Sequence, residues 1–186
     1  MRILGLSGSL RDGSHNTLLL REAAELFDPE VVEFELFDGL KDVPPYDEDD
    51  DGGDGPAGAA RFRAALAEAD GVLVATPEYN SSIPGQLKNA LDWASRPLAT
   101  NPLRNVPVAV VGASNGAFGA VWAQAETRKV LAAMGARVVG EEVPVGRASA
   151  RLADDGRLLD DELEERVRDL LDELVAAVEE RTALAA

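Results

Sequence analysis

Short apolar runs rich in β-branched residues alternate along the chain with longer stretches of helical periodicity. The apolar runs predict five strands, RILGL (2–6), VVEFELF (31–37), GVLVAT (71–76), VPVAVVGAS (106–114) and ARVVGEEVPV (136–145). The stretches of helical periodicity predict helices over residues 16–27, 57–69, 85–95, 119–134 and 160–182. Strands separated by helices indicate right-handed β-α-β crossovers and therefore a parallel sheet.

The five strand–helix pairs predict an α/β fold, a three-layer, doubly wound parallel sheet of five strands in the flavodoxin-like order 2-1-3-4-5. The first, third and fourth strands are nearly all apolar, as expected when helices cover both faces of a sheet. The second strand alternates more and suits an edge. Because we find no internal repeat and no linker, we expect residues 1–186 to form a single domain.

Sheets of this kind bind ligands at the carboxyl ends of their strands, where the strand order reverses between the first and third strands. The loops at that edge are residues 7–17, 77–84 and 112–119, and they are the least ordinary stretches in the chain.

The first of these loops, GSLRDGSHNT (8–17), has the composition of a phosphate pocket. Its two glycines let the backbone turn tightly or approach a ligand. Arg11 adds a fork of donors suited to phosphate oxygens, and the first N–H groups of the following helix point toward any anion there. The short side-chain donors are Ser9, Ser14, Asn16 and Thr17. The alternative is a helix N-cap with a polar loop and an exposed Arg11.

The other two loops suit a flat ligand. Pro77 and Pro84 stiffen TPEYNSSIPGQLKNALDW (76–93), in which free amides beside Tyr79 can hold the edge of a heterocycle. The third loop, GASNGAFGA (112–120), has few side-chain atoms and brings backbone groups close to whatever lies there. Three polar loops converging on one edge predict a binding site rather than an empty scaffold.

The strongly acidic composition bears on which macromolecules the protein can bind. The net charge of −16 argues against a nucleic-acid partner, because neutralising phosphates takes clustered Lys and Arg. Of the 18 basic residues only three are lysines, and such an acid-rich, lysine-poor composition resembles that of proteins from salt-loving microbes. A GC-rich genome would produce the same bias toward arginine. We expect halophilic adaptation, which unchanged folding and activity between low salt and molar KCl would contradict.

Composition also excludes several chemistries. The chain has no cysteine, which excludes disulfides, zinc–thiolate sites, iron–sulfur clusters and cysteine nucleophiles. The single histidine, His15, argues against a histidine-based metal site, and we expect it to be a solvent-facing bystander. Neither a membrane helix nor a signal peptide is evident, so the sequence predicts a cytoplasmic protein without a membrane partner.

The segment DEDDDGGDGPAG (47–58) has six acidic residues within positions 47–54. We expect a solvated, mobile loop. A calcium loop is the alternative, but the regular alternation and terminal Glu of an EF-hand are missing.

Four segments together resemble one known family, the NAD(P)H-dependent FMN reductases, which include quinone, azo-dye and chromate reductases. The matching segments are GSLRDGSHNT (8–17), VPPYDED (43–49), PEYNSSIPGQLKNALDW (77–93) and GASNGAFGA (112–120). They lie in the family's order and similar spacing, so the resemblance spans most of residues 1–145.

The resemblance implies bound FMN, with NADPH or NADH as co-substrate. Hydride would pass through the flavin to a quinone, an azo or nitro compound, an oxidised metal or free flavin, and no catalytic residue is needed because the flavin carries the chemistry. The residues implied to hold the FMN phosphate are Ser9, Arg11, Ser14, Asn16 and Thr17. Those implied to line the isoalloxazine, largely through their backbone groups, are Pro77, Glu78, Tyr79 and Asn80. Those implied to approach its pyrimidine side are Ser114, Asn115 and Gly116.

The resemblance further implies a homodimer or homotetramer, with the helix around Lys88, Asp92 and Trp93 contributing to the dimer interface. The alternative is a non-enzymatic electron carrier of the flavodoxin type. The low aromatic content of 5% favours the reductase, because carriers usually sandwich the flavin between large rings. No cluster dedicated to the extra phosphate of NADPH is evident, although Arg96 or Arg104 can serve.

Overall fold

Six strands of one parallel sheet form the centre of the structure, a computed structural model that describes residues 1–53 and 55–185. The strands are β1 (Arg2–Ser7), β2 (Glu33–Phe37), β3 (Gly71–Ala75), β4 (Pro107–Ala113), β5 (Arg137–Val138) and β6 (Val143–Val145). The helices are α1 (His15–Leu26), α2 (Ala57–Ala67), α3 (Gly85–Ala94), α4 (Val121–Ala133), α5 (Ala148–Arg151) and α6 (Asp161–Ala185). The five predicted helices and the first four predicted strands are thus present, with ends shifted by a few residues.

The strand order confirms the prediction. The sheet runs β2-β1-β3-β4-β5, and β6 also pairs with β4. Gly5 at the middle of β1 lies opposite Leu36 of β2 and Leu73 of β3, so β1 and β3 flank the point where the strand order reverses. The alternating strand β2 lies at an edge, as its pattern predicted, and pairs with β1 alone.

Two hydrophobic layers cover the two faces of the sheet. Successive residues of β1 point to opposite sides, with Leu4 in one layer and Ile3 in the other. Side chains of α2, α3 and α4 fill the first layer, and those of α1 and α6 fill the second. The helix–sheet–helix arrangement confirms the three-layer prediction. Within residues 1–53 and 55–185, no helix combines the length and hydropathy that crossing a bilayer requires.

The predicted fifth strand over residues 136–145 is wrong as a continuous element. Val138 pairs with Val108, and Val143 pairs with Val111. The two paired positions are therefore five residues apart in the outer segment, whereas they are three residues apart in β4. The extra residues bulge out around Gly140, which has φ 64°. A Cβ at Gly140 would lie 2.1 Å from Leu170 Cδ1 of α6. Glycine at this position therefore allows α6 to pack closely against the bulge that separates β5 from β6.

Trp93 itself belongs to the core, and the contribution of its helix to a dimer interface stays a prediction. Its side chain is fully buried within the chain, and its indole N–H donates to the Pro44 carbonyl at 2.8 Å. The Tyr46 ring packs edge-on against it, with the centroids 4.9 Å apart. Lys88 and Asp92, on the same helix, are partly exposed and bind each other at 2.7 Å.

The acidic segment is partly tied to the body of the protein. Asp47 caps a 3₁₀ turn over Glu48–Asp50, whose residues are exposed as predicted. Asp51 forms an ion pair with Arg63 of α2, and both side chains are largely buried. Position 54 lies outside the described residues. The segment is therefore solvated along most of its described length but held at Asp51.

Candidate functional site

The loop between β1 and α1 lines a cavity of about 510 Å³ at the carboxyl end of β1. The backbone N–H groups of Ser14, His15 and Thr17 find no hydrogen-bond acceptor within the described chain. Unpaired N–H groups at the start of a helix, together with its dipole, favour an anion. The lining includes four of the residues predicted to hold a phosphate, Ser9, Arg11, Ser14 and Thr17.

These side chains keep donors available. Ser14 is the N-cap of α1, and its Oγ accepts the Asn16 N–H at 3.2 Å, which leaves its hydroxyl hydrogen free to donate. The Thr17 hydroxyl lies 2.9 Å from the Ser7 hydroxyl. The exposed Arg11 guanidinium donates to the Gly13 carbonyl at 3.1 Å and keeps further N–H groups. Hydroxyls, a guanidinium and helical N–H groups fit a phosphate monoester.

Asn16 was predicted to hold the phosphate, but its side chain does not line the cavity at the start of α1. Its Nδ2 donates to the Ala113 carbonyl at 3.0 Å, and its Oδ1 accepts the Ala113 N–H at 2.9 Å. The carboxamide is buried, and both of its polar atoms are engaged. Asn16 therefore joins the start of α1 to the end of β4, rather than supplying a phosphate donor.

The loop after β3 contains a tight turn that presents Tyr79. The N–H and carbonyl of Tyr79 pair with those of Ser82, both at 3.1 Å. Asn80 and Ser81, between them, both have positive φ, 53° and 58°. Two central residues with positive φ define a type I′ turn, which asparagine tolerates. Tyr79 is 54% exposed at this turn.

The loops after β1 and β3 meet at a glycine. Gly8 donates its N–H to the Ala75 carbonyl at 2.8 Å. A Cβ at this position would lie 2.9 Å from Leu87 Cδ2 and 3.2 Å from Pro77 Cδ. Only glycine allows the two loops to approach this closely.

Glu78 caps a helix with its side chain. Its Oε2 accepts the N–H groups of Trp122 at 3.0 Å and Ala123 at 3.1 Å, which are among the first N–H groups of α4. The residue at the N-cap position of α4, Ala120, has no capping side chain. Glu78 thus supplies the missing acceptor from another loop and fixes the position of α4 relative to the loop after β3.

Replacing Glu78 by alanine should lower the free energy of unfolding by about 1–2 kcal/mol, because a charged N-cap is lost. Urea denaturation would measure the change. Glu141→Ala, which removes an exposed carboxylate without a hydrogen bond or ion pair in the described chain, is the matched control. An equal loss in both variants would contradict the capping role.

The loop after β4 binds the segment that follows β6. Ser114 donates its N–H to the Val145 carbonyl at 3.0 Å, and the Gly116 carbonyl accepts the Arg147 N–H at 2.9 Å. Asn115 Oδ1 accepts from the backbone N–H of Ser149 at 3.0 Å and from its hydroxyl at 2.7 Å. The Asn115 side chain therefore holds α5, and the backbone of residues 114–116 is the part that can face a ligand.

His15 is not the solvent-facing bystander predicted from the sequence. Its Nε2 lies 3.2 Å from the Ser149 hydroxyl. Its Nδ1 is buried and has no hydrogen-bond partner among the described residues. Burial, and secondarily the positive charge of Arg11, lower the pKa of His15 below its usual value of 6.5. The imidazole therefore lies between α1 and α5 in surroundings that disfavour its charged form.

This lowered pKa predicts a pH-dependent contribution to stability. Below pH 6.5, His15 binds a proton in the unfolded chain, whereas the folded protein disfavours that proton. Acidification therefore favours the unfolded state. This contribution to the free energy of unfolding is highest above pH 6.5 and decreases as the pH falls toward the lower pKa of the folded protein. Urea denaturation of the wild type and of His15→Gln at pH 7.5 and pH 5.5 measures how much His15 contributes to the pH dependence of the free energy of unfolding. We expect the wild type to lose more stability on acidification than the variant. Equal losses would contradict it.

Several lining residues were missed by sequence reasoning. Arg21 of α1 and Lys41, in the turn after β2, line the same cavity as the loop after β1. Arg21 lies four residues after Thr17, and that spacing was a usable signal, because it puts both on one face of a helix. Among residues 1–53 and 55–185, no group of three or more metal-ligating side chains can hold a metal ion.

Comparison with known proteins decides the family. Residues 1–150 match the family model described as NADPH-dependent FMN reductase. The chain belongs to this family. The predicted resemblance is thereby confirmed, and the protein is an FMN-dependent oxidoreductase that takes electrons from NAD(P)H.

Relatives of this family member match over nearly their whole length. The NAD(P)H-dependent FMN reductase of Pseudomonas aeruginosa is 41% identical, over 94% of this chain and 93% of the relative. A 2-hydroxy-1,4-benzoquinone reductase from Burkholderia is 35% identical, over 97% and 98%. Among solved structures, the flavoenzyme NAD(P)H:acceptor oxidoreductase FerB from Paracoccus denitrificans superposes with a TM-score of 0.84 at 32% identity, covering 96% of this chain and 97% of that chain.

Proposed function

We propose that this FMN reductase holds the FMN phosphate in the cavity at the start of α1. The observation that carries the proposal is the set of unpaired N–H groups at the start of α1, on Ser14, His15 and Thr17, next to a cavity that Arg11 also lines. A dianionic phosphate satisfies these donors and complements the positive end of the helix dipole. The hydroxyls of Ser9, Ser14 and Thr17 complete the set, whereas Asn16 acts by fixing the loop.

The isoalloxazine then lies between the loops after β3 and β4, against the backbone of residues 77–80 and 114–116. Pro77 and the type I′ turn keep the first loop rigid, and the bonds of Ser114 and Gly116 to the segment after β6 keep the second rigid. When bound, FMN supplies the hydride and electron transfer. The chain contributes position and donors, and no side chain is assigned as a catalytic residue.

The acceptor is a small molecule, with a quinone, which is flat and conjugated, as the first candidate. Three large aromatic side chains are exposed in or next to the loops that follow β3 and β4, namely Tyr79, Phe118 and Trp122. The Phe118 and Trp122 rings stack edge to face with their centroids 5.0 Å apart, which leaves their outer surfaces for a flat partner. Relatives named quinone reductase and 2-hydroxy-1,4-benzoquinone reductase support this class. Azo and nitro compounds, oxidised metals and free flavin are further acceptors to screen.

The remaining parts of the proposal are a one-domain chain, a cytoplasmic location, no nucleic-acid or membrane partner, and a homodimer or homotetramer. The net charge of −16 supports the absence of a nucleic-acid partner. The partly exposed Lys88 and Asp92 leave the outer face of α3 available for a second copy.

The experiment that tests the function is an anaerobic titration of FMN-loaded protein with NADPH in concentrated KCl, following the visible flavin absorption. Rapid and complete bleaching, followed by recovery of the absorption on adding a quinone, is the expected result. Bound flavin that NADPH leaves oxidised would favour the electron carrier instead. Failure to retain FMN would remove the phosphate site.

A further inference from the structure

The cavity that holds the proposed phosphate site continues beyond it, toward the end of β2. Its far part is lined by Arg21, Phe37, Asp38, Leu40 and Lys41. The total volume of about 510 Å³ falls within the roughly 300–1,000 Å³ typical of small-molecule pockets, well above the needs of one phosphate group. The far part therefore has room for another ligand group.

Two cations from different elements line this far part. Arg21 lies one helical turn beyond Thr17 on α1. Lys41 belongs to the 3₁₀ turn Leu40–Asp42. That turn is held by Gln86 of α3, whose Nε2 donates to the carbonyls of Leu40 and Val43, both at 2.8 Å. The backbone that carries Lys41 is thus fixed beside the cavity.

Neither Arg21 nor Lys41 has an ion pair or a side-chain hydrogen bond within residues 1–53 and 55–185. This is notable in a chain with 34 carboxylates against 18 basic residues. Asp38, a carboxylate in the same lining, is engaged by Arg61, whose guanidinium also lies over the Phe37 ring at 5.3 Å. The other acidic lining residue, Asp12 on the exposed loop, has no ion pair within the part of the chain that the structure describes. The far part of the cavity therefore favours an anion.

We propose that Arg21 and Lys41 bind a second phosphate group beside that of FMN, and that this group is the 2′-phosphate of NADPH. The inference rests on the proposed function, because it needs FMN phosphate in the near part of the cavity. The 2′-phosphate is the one group by which NADPH differs from NADH, so the two cations determine the choice of electron donor. The second phosphate of FAD has the same chemistry and is the other possible source.

The arginines considered from the sequence are placed less favourably. Arg96 lines a separate cavity with Arg63 and Pro97. Arg104 donates to the Leu98 carbonyl and lines neither cavity.

The test compares FMN-loaded wild type with the double variant Arg21→Ala/Lys41→Ala. We expect kcat/KM for NADPH to fall by about tenfold or more and kcat/KM for NADH to change by less than about twofold, because charge-assisted contacts to one phosphate are lost. The matched control is Lys129→Ala/Arg157→Ala, which removes the same charge from exposed positions outside the cavity. It should leave the preference between the two nucleotides unchanged.

Three results would overturn the assignment. They are an equal loss for NADPH and NADH, no loss for either, and an NADPH-selective loss in Arg96→Ala/Arg104→Ala instead. A second arm measures FMN and FAD affinity of the apoprotein by flavin fluorescence. If the double variant lost affinity for FAD alone and kept the preference between NADPH and NADH, the two cations would bind the second phosphate of FAD instead of the 2′-phosphate of NADPH.

A third arm separates this inference from the proposed function. Calorimetry on the FMN-loaded protein compares adenosine 2′-monophosphate with adenosine as probes. We expect tighter binding of the phosphorylated probe, lost in Arg21→Ala/Lys41→Ala, and equal binding of both probes would overturn the site. Failure of the wild type to oxidise either nucleotide would refute the proposed function, whereas this binding result would still decide on the phosphate site.

Discussion

Replacing Asn16 by alanine should both destabilise the protein and weaken FMN binding. The substitution leaves the buried N–H and carbonyl of Ala113 without partners. Unsatisfied buried backbone groups cost about 1–3 kcal/mol each, so we expect the free energy of unfolding to fall by about 2–4 kcal/mol. Because Asn16 also joins the phosphate loop to the end of β4, we expect the Kd for FMN to rise by roughly tenfold or more. Urea denaturation and flavin fluorescence quenching measure the two effects.

Asn101 offers a matched control for this prediction. It too is a buried asparagine that bonds backbone groups, donating to the Met134 carbonyl at 2.6 Å and accepting the Leu103 N–H at 2.9 Å. It lies outside the lining of the phosphate cavity. Asn101→Ala should destabilise the protein comparably but leave the FMN affinity of the folded protein unchanged. If the two variants lost FMN affinity equally, Asn16 would have only a general structural role.

Replacing Arg11 by alanine should weaken FMN binding without affecting riboflavin binding. A charge-assisted hydrogen bond to phosphate is worth about 1.5–3 kcal/mol, which corresponds to roughly a 10- to 100-fold rise in the Kd for FMN. Riboflavin lacks the phosphate, so its Kd should stay within about twofold of the wild-type value. Fluorescence titration of the apoprotein with each flavin gives both constants.

Comparing FMN with riboflavin shows whether Arg11 acts on the phosphate or on the loop. A loss of affinity for both flavins would mean that Arg11 supports the loop rather than the phosphate, and no loss for FMN would remove Arg11 from the site. Arg157→Ala, an exposed arginine outside the cavity, controls for the change in net charge. We expect the effect of Arg11→Ala to shrink at high ionic strength, because the side chain is exposed and screened.

The parts of the fold that depend on local pattern could be predicted from the sequence. The apolar runs gave the central strands, and the alternation of Glu33 and Glu35 with less polar neighbours placed β2 at the edge. The candidate phosphate loop is also local, because its glycines, hydroxyls and Arg11 lie within ten consecutive residues. The predicted salt dependence stays a prediction.

The parts that depend on distant contacts could not be predicted. Nothing near Asn16 in the sequence indicates that its partner is Ala113, 97 residues away. The partners of the Glu78 carboxylate likewise lie 44 and 45 residues further along the chain. Asn16 was assigned to the ligand because a polar side chain at a strand end suits that role, and Glu78 because the resemblance implies that its backbone lines the isoalloxazine. In the structure, the side chain of each residue holds together two of the elements around the site.

The two edges of the sheet have a consequence for how copies of the protein can associate. An exposed strand with free backbone groups is a template for pairing with another chain, and such pairing leads to aggregation. Here β2 presents the charged Glu33 and Glu35 at one edge, and at the other edge the bulge at Gly140 leaves two strands of only two and three residues. Neither edge offers a long, uncharged strand. Extension of the sheet from one molecule to the next is therefore disfavoured, and assembly of this protein has to use its helices and loops.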